Sequence, residues 1–222
     1  MSFEPHDLAI IHIPEFDPKK DSYELFLKRF DYFWQEIYDS LSSTGSLWVF
    51  MSNIFINGEL RPLTWELTDR IRTTTKFRLK NILVVYRDKP YAQTPLAQGY
   101  FNVVFFVKSL DQYYFDKDAI REPHVFKDIE WGKRLVGTSG YGERKRNRYS
   151  SKGRDPGNVF YKVERDSEGK ILKIYEYSDE ELYEKIVKVS TKKGSIIVSN
   201  VTNLALSKSV EDLGRELRLV GV

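Results

Sequence analysis

Residues 7–13 read DLAIIHI and residues 46–53 read SLWVFMSN, two short apolar runs of the kind that form strands buried on both faces. Between them Phe26, Phe30, Phe33, Ile37 and Leu41 recur at helical spacing. Pro14 stops the first run. Asp21, with Glu24 three residues later, has the pattern of a helix-opening capping box. Gly45 stands where a helix would stop. The first fifty residues therefore read strand, helix, strand: a βαβ unit, with parallel strands and a right-handed crossover.

The pattern extends outward. A second helix is expected over Pro62–Thr73, with Leu63, Leu67 and Ile71 on one face. Strands are expected over Phe77–Tyr86 and Gly99–Lys108, then a turn with a short edge element over Lys108–Phe115. Residues 116–157 are richer in glycine and charge and lose periodicity, which predicts a long, partly mobile insertion. NVFYKVERD and ILKIYEY then flank the turn DSEGK as a hairpin. Ser178-Asp-Glu-Glu181 opens a third helix, SIIVSNV supplies another strand, and a last helix to about Leu213 precedes a short final strand. The expected fold class is α/β: a mainly parallel sheet with helices on both faces, in one domain over 1–222 with 116–157 inserted.

Composition narrows the function. Cysteine is absent, which excludes disulfides, thiolate zinc sites and a cysteine nucleophile. The three histidines, His6, His12 and His124, are scattered, so a histidine metal site is not expected. No apolar run approaches a membrane span, and the first residues lack the pattern of a secretory leader, so a cytoplasmic, membrane-free protein is expected. Few methionines and many charges give a composition shared with thermophiles. The net charge of +3 is uneven. Residues 144–154, RKRNRYSSKGR, hold six cations and no acid, so the rest of the chain sums to −3. One local basic stripe on a near-neutral body points to a polyanion.

The order and spacing of these pieces resemble the amino-group DNA methyltransferases, which methylate adenine N6 or cytosine N4. The resemblance is to the order in which the catalytic half precedes the cofactor half. Asp7-Leu-Ala-Ile-Ile-His-Ile-Pro-Glu15 looks like the family strand that runs into D-P-P-Y. Trp34 and Leu41-Ser-Ser-Thr-Gly-Ser-Leu-Trp-Val look like its following helix and the exit into a strand. Val103-Val-Phe-Phe-Val-Lys108, Asp155-Pro-Gly-Asn-Val-Phe160 and Ser178–Ile186 resemble successive later motifs. Lys192–Leu206 aligns with the cofactor strand and its glycine-rich turn, and Leu213–Val222 with the closing strand.

The resemblance implies a Rossmann-like fold, S-adenosylmethionine as cofactor and DNA as substrate, with departures where the family does its chemistry. The family's hydrogen-bond acceptor is His12 here, its first proline is Ile13, and its base-stacking aromatic is Glu15; Pro14 alone matches. Phe16 supplies an aromatic if the loop is shifted by one residue. The cofactor turn reads Ser199-Asn200-Val201-Thr202-Asn203-Leu204-Ala205, without the glycines that let backbone approach a ligand. The family's ribose-binding acid would follow the last strand, at a position after Val222. Loss of S-adenosylmethionine binding is therefore expected.

The resemblance also places the 116–157 insertion where the family recognises DNA. Arg144, Lys145, Arg146, Arg148, Lys152 and Arg154 are candidate phosphate contacts, with Tyr149 interleaved to stack on bases. The leading expectation is a DNA-binding protein, for duplex or single strands, on a catalytically inactive methyltransferase-like fold. Two alternatives stay open. One is a working methyltransferase, or the inactive subunit of a heterodimer with a methyltransferase partner. The other is a protein-interaction scaffold whose cofactor cleft is filled by Val201, Leu204 and Leu206. A homodimer is implied by the resemblance alone.

Overall fold

The computed structural model describes residues 5–91, 98–123 and 152–221. The expected strand–helix–strand start is present as β1 (His6–His12), α1 (Tyr23–Arg29), α2 (Asp31–Ser40) and β2 (Leu41–Met51). β1 and β2 are parallel, with Ala9 opposite Leu47 and Ile11 opposite Val49.

Two local expectations are corrected. Ser22, not Asp21, caps the first helix: its hydroxyl accepts from the Leu25 amide, 3.3 Å away. The Asp21 carboxylate instead takes the Arg29 guanidinium. Gly45 lies within β2 and stops no helix. A Cβ there would sit 2.7 Å from the Asp7 carbonyl oxygen and 2.8 Å from the Leu41 side chain. The glycine lets the neighbouring strand come close.

A small hairpin follows, β3 (Ile54–Ile56) and β4 (Glu59–Arg61), around Asn57-Gly58 with φ of 53° and 82°. Positive φ at both positions is the signature of the tight primed turns. Next come α3 (Leu63–Thr74), β5 (Arg78–Tyr91) and β6 (Gln98–Val107). Residues 108–115 carry no strand; Tyr114 instead donates to the Thr44 carbonyl at 2.8 Å. The described parts of the insertion are a 3₁₀ turn, Lys117–Ile120, and an isolated antiparallel bridge between Glu122 and Arg154.

The later elements are β7 (Val159–Phe160), β8 (Lys162–Arg165), β9 (Ile171–Tyr175), α4 (Asp179–Ser190), β10 (Ile196–Ser199), α5 (Leu204–Asp212) and β11 (Glu216–Leu219). β8 and β9 form the expected hairpin, with the Asp166 carboxylate accepting the Glu168 and Lys170 amides. α4 opens with a full capping box between Ser178 and Glu181.

One sheet runs in the order β11–β10–β1–β2–β6–β5–β7. Four of its six pairings are parallel; β6 is antiparallel to both β2 and β5. Strand alternation divides the core between the two faces. Leu8, Ile10, Trp48, Phe105, Val103 and Ile197 pack under α4 and α5, against Leu182, Ile186, Leu206 and Val210. Ala9, Ile11, Leu47, Val49 and Phe106 pack under α1–α3, against Phe30, Trp34, Ile37, Leu67 and Ile71. The fold is thus α/β, a mostly parallel sheet with helices on both faces, as the sequence implies.

Candidate functional site

The chain leaves β1 through α1 and α2 toward β2, on one side of β1. It leaves β10 through α5 toward β11, on the other side. The carboxyl ends of β1 and β10 therefore flank the point where the winding reverses. In open α/β sheets this crevice is the usual ligand site. His12 ends one strand, and Asn200 follows the last residue of the other.

Here the two strand ends are tied together. The pairing runs Leu8–Ile197, Ala9–Val198, Ile10–Ser199. Asn200 then continues it with its side chain: Oδ1 accepts the His12 amide at 2.8 Å, and Nδ2 donates to the His12 carbonyl at 2.8 Å. The carboxamide thus acts as an extra peptide group, adding a rung across the crevice.

The His12 ring is also held. It stacks on Phe50, with centroids 4.3 Å apart and planes 17° from parallel. Its Nε2 lies 3.0 Å from the hydroxyl of Tyr183, one turn into α4. Burial lowers the imidazole pKa to about 4, against the opposing pull of Asp179. Burial, with Asp179 adding to it, raises the Tyr183 phenol to about 12. Near neutrality the imidazole is uncharged and the phenol keeps its proton. The two rings therefore share one neutral hydrogen bond. Asn203 Nδ2 in turn donates to the Tyr183 oxygen at 3.4 Å.

The remaining candidates fall around this cluster. Ile13 donates its amide to the Phe50 carbonyl at 3.0 Å. Pro14 and Glu15 are exposed. Phe16 is not a free aromatic: it packs edge-on against Tyr23 and Phe26, at 5.7 and 5.3 Å. Ser199 is fully buried, and its Oγ accepts the Val201 amide at 3.3 Å. Asn203 caps α5 by accepting the Ala205 amide at 2.8 Å. No residue from 199 to 205 has a positive φ. Leu204 does not fill the crevice; it is 85 % exposed, whereas Leu206 is on the buried face of α5. The groups that hold the His12 ring, Tyr183 and Phe50, are buried core residues that were not legible in the sequence as site residues.

The basic stripe is divided. Arg144, Lys145, Arg146, Arg148 and Tyr149 lie outside the described residues. Lys152 reaches the Asp118 carboxylate. Arg154 exchanges backbone hydrogen bonds with Glu122, at 2.7 and 3.1 Å, and its guanidinium meets the Glu122 carboxylate. That carboxylate also accepts from the Tyr177 hydroxyl and lies 3.3 Å from Lys185 Nζ. Burial, then the bond to Glu122, raises the Tyr177 phenol far above its ordinary range. Glu122 is thus a hub that fixes both feet of the insertion to α4.

Among the described residues no cluster of histidine and carboxylate side chains could hold a metal ion. No described helix is long and apolar enough to cross a membrane.

No curated protein sequence matches the chain. Solved structures do match its fold. PvuII DNA methyltransferase (cytosine-N4-specific) superposes with a TM-score of 0.67 at 13 % identity, covering 100 % of this chain and 76 % of that one. TTHA0409 from Thermus thermophilus, complexed with S-adenosyl-L-methionine, gives 0.63 at 14 % identity, covering 100 % and 82 %. M1.HpyAVI in complex with SAM gives 0.56 at 12 % identity, covering 98 % and 81 %. A family model described as DNA methylase, of the N6/N4 type, matches residues 12–198. That match spans most of the 222 residues, from the end of β1 into β10, and by it the chain belongs to the DNA methylase family.

Proposed function

We propose that this chain is a DNA-binding member of its family that works without transferring a methyl group. The observation that carries the second half is the Asn200 carboxamide, which pairs with both backbone groups of His12 across the crevice. S-adenosylmethionine, the cofactor implied for the family, needs an open crevice and a glycine turn at the end of β10. These residues do not fit it. The turn has no glycine and no positive φ, Asn203 is committed to capping α5, and Ser199 is buried. The ring nitrogen that would orient a target amino group is also engaged, since His12 Nε2 is hydrogen-bonded with the Tyr183 hydroxyl.

Support for DNA as the partner comes from the family and from the six cations among residues 144–154. Arg144, Lys145, Arg146 and Arg148, with Tyr149, are assigned to the nucleic acid, while Lys152 and Arg154 anchor the feet of the insertion through Asp118 and Glu122. The test is fluorescence anisotropy with duplex and single-stranded DNA across a range of salt. The comparison is a variant with Arg144, Lys145, Arg146 and Arg148 changed to alanine. Four phosphate contacts give a slope of log K against log salt of about −3 to −4, which the variant loses. An unchanged slope in the variant, or no binding at low salt, would refute the assignment.

A further inference from the structure

We infer that the groove between α4, the β8–β9 hairpin and the Ile120–Pro123 segment receives unpaired DNA, with bases on Tyr161 and Tyr175 and phosphates on Lys162 and Lys188. This rests on the DNA-binding reading above and adds a place and a strand form to it. The groove has a volume of about 500 Å³. That is within the range of about 300–1,000 Å³ typical of ligand sites. Cations outnumber carboxylates along its walls: Arg121, Arg154, Lys162, Lys185 and Lys188 against Glu122, Glu181 and Glu184, a balance of +2.

The groups differ in availability. Glu122 is only 16 % exposed and is shared by Tyr177, Arg154 and Lys185, so that end is structural. Lys162 and Lys188 pair with Glu181 and Glu184, which are 39 % and 44 % exposed. The Lys188–Glu184 pair contributes little, so a phosphate can displace that carboxylate at small cost; Glu181 stays fixed by the Ser178 capping box, and Lys162, with three N–H donors, takes a phosphate beside it. Lys162 Nζ also lies 5.1 Å from the Tyr175 ring centroid. Lys173 Nζ also sits over that ring, at 5.7 Å, so a phosphate that draws a lysine off the ring frees a face for its base.

Tyr161, 37 % exposed, lines the same groove. Stacking on tyrosine needs a free base face, which a paired and stacked duplex does not present. The wall formed by Glu122 and Arg154 is also where the chain passes into and out of the segment with the other four cations.

The experiment titrates the full chain into a short thymidine oligonucleotide carrying one 2-aminopurine, and into a duplex of the same length. Tyr161→Ala and Tyr175→Ala are each expected to weaken single-strand binding by about fivefold or more. They should abolish 2-aminopurine quenching and leave duplex affinity unchanged. Tyr161→Phe and Tyr175→Phe, which keep the ring face, should bind like wild type. Thermal melts of all four variants establish that they fold. Single-strand binding unaffected by the alanine variants, or weakened equally for both DNA forms, overturns the groove assignment and leaves the DNA-binding reading standing. A wild-type chain that binds neither form overturns both.

Discussion

Replacing Asn200 with alanine removes the rung that joins the ends of β1 and β10. The wild-type carboxamide makes two hydrogen bonds to His12, both 2.8 Å, one accepted and one donated. A net intramolecular hydrogen bond contributes about 0.5–1.5 kcal/mol, so losing the pair destabilises the fold by about 2 kcal/mol. For a chain of this length each kcal/mol lowers the melting temperature by about 2–4 °C, which places the expected fall at about 4–8 °C. Differential scanning calorimetry reads it directly. Asn200→Asp sharpens the test. The carboxylate still accepts the His12 amide but sets a bare oxygen against the His12 carbonyl, so it should not restore stability. If Asn200→Ala melts with the wild type, the crevice is not held by the carboxamide.

Gly45→Ala forces a methyl group against the Asp7 carbonyl oxygen, a backbone atom that cannot swing away; overpacking of this kind costs about 1–3 kcal/mol, and a melting temperature at or above wild type would count against the close approach. Burial holds both His6 and His12 near a pKa of about 4, below the unfolded value near 6.5. The unfolded chain then binds protons first as the pH falls. Stability is retained above about pH 6.5 and is lost toward pH 4, by up to about 1.4 kcal/mol per pH unit for each histidine. Proton NMR should show neither ring titrating near 6.5, and a ring that does titrate there is not buried as described. Glu122→Ala strands the Tyr177 hydroxyl, Arg154 and Lys185 together, and should destabilise by about 2–4 kcal/mol in a thermal melt; a neutral outcome would remove Glu122 as the hub.

Much of the architecture is legible because one property dominates each element. The apolar run DLAIIHI has no alternative to a strand buried on both faces, and Ser178 with Glu181 announces a helix start by local chemistry alone. Local signals fail where two readings share a residue type. Asp21 and Ser22 are both good caps, and Arg29, at the far end of the same helix, claims the aspartate. Gly45 fits a helix stop or a tight strand approach, and only the position of Asp7 in the neighbouring strand decides between them.

The site divides in the same way. The changed residues at His12, Ile13 and Glu15 and the glycine-free turn at 199–205 are visible in the chain. What holds His12 is not. Asn200 meets His12 from 188 residues away and Tyr183 from 171, contacts set by the sheet order and the placement of α4. Leu204, an apolar candidate for filling the crevice by composition, points to solvent. The anchoring of Lys152 and Arg154 is equally hidden, because Asp118 and Glu122 join them across the whole insertion.

The most direct test of an account in which the chain has exchanged its cofactor crevice for internal hydrogen bonds is a melt of the wild-type protein in excess S-adenosylmethionine. A ligand present at about one hundred times its dissociation constant stabilises by about 2.7 kcal/mol, which in a protein of this size raises the melting temperature by about 5 °C or more. The account predicts no rise. A rise of that size would contradict it and return the chain to the methyl-transferring members of its family.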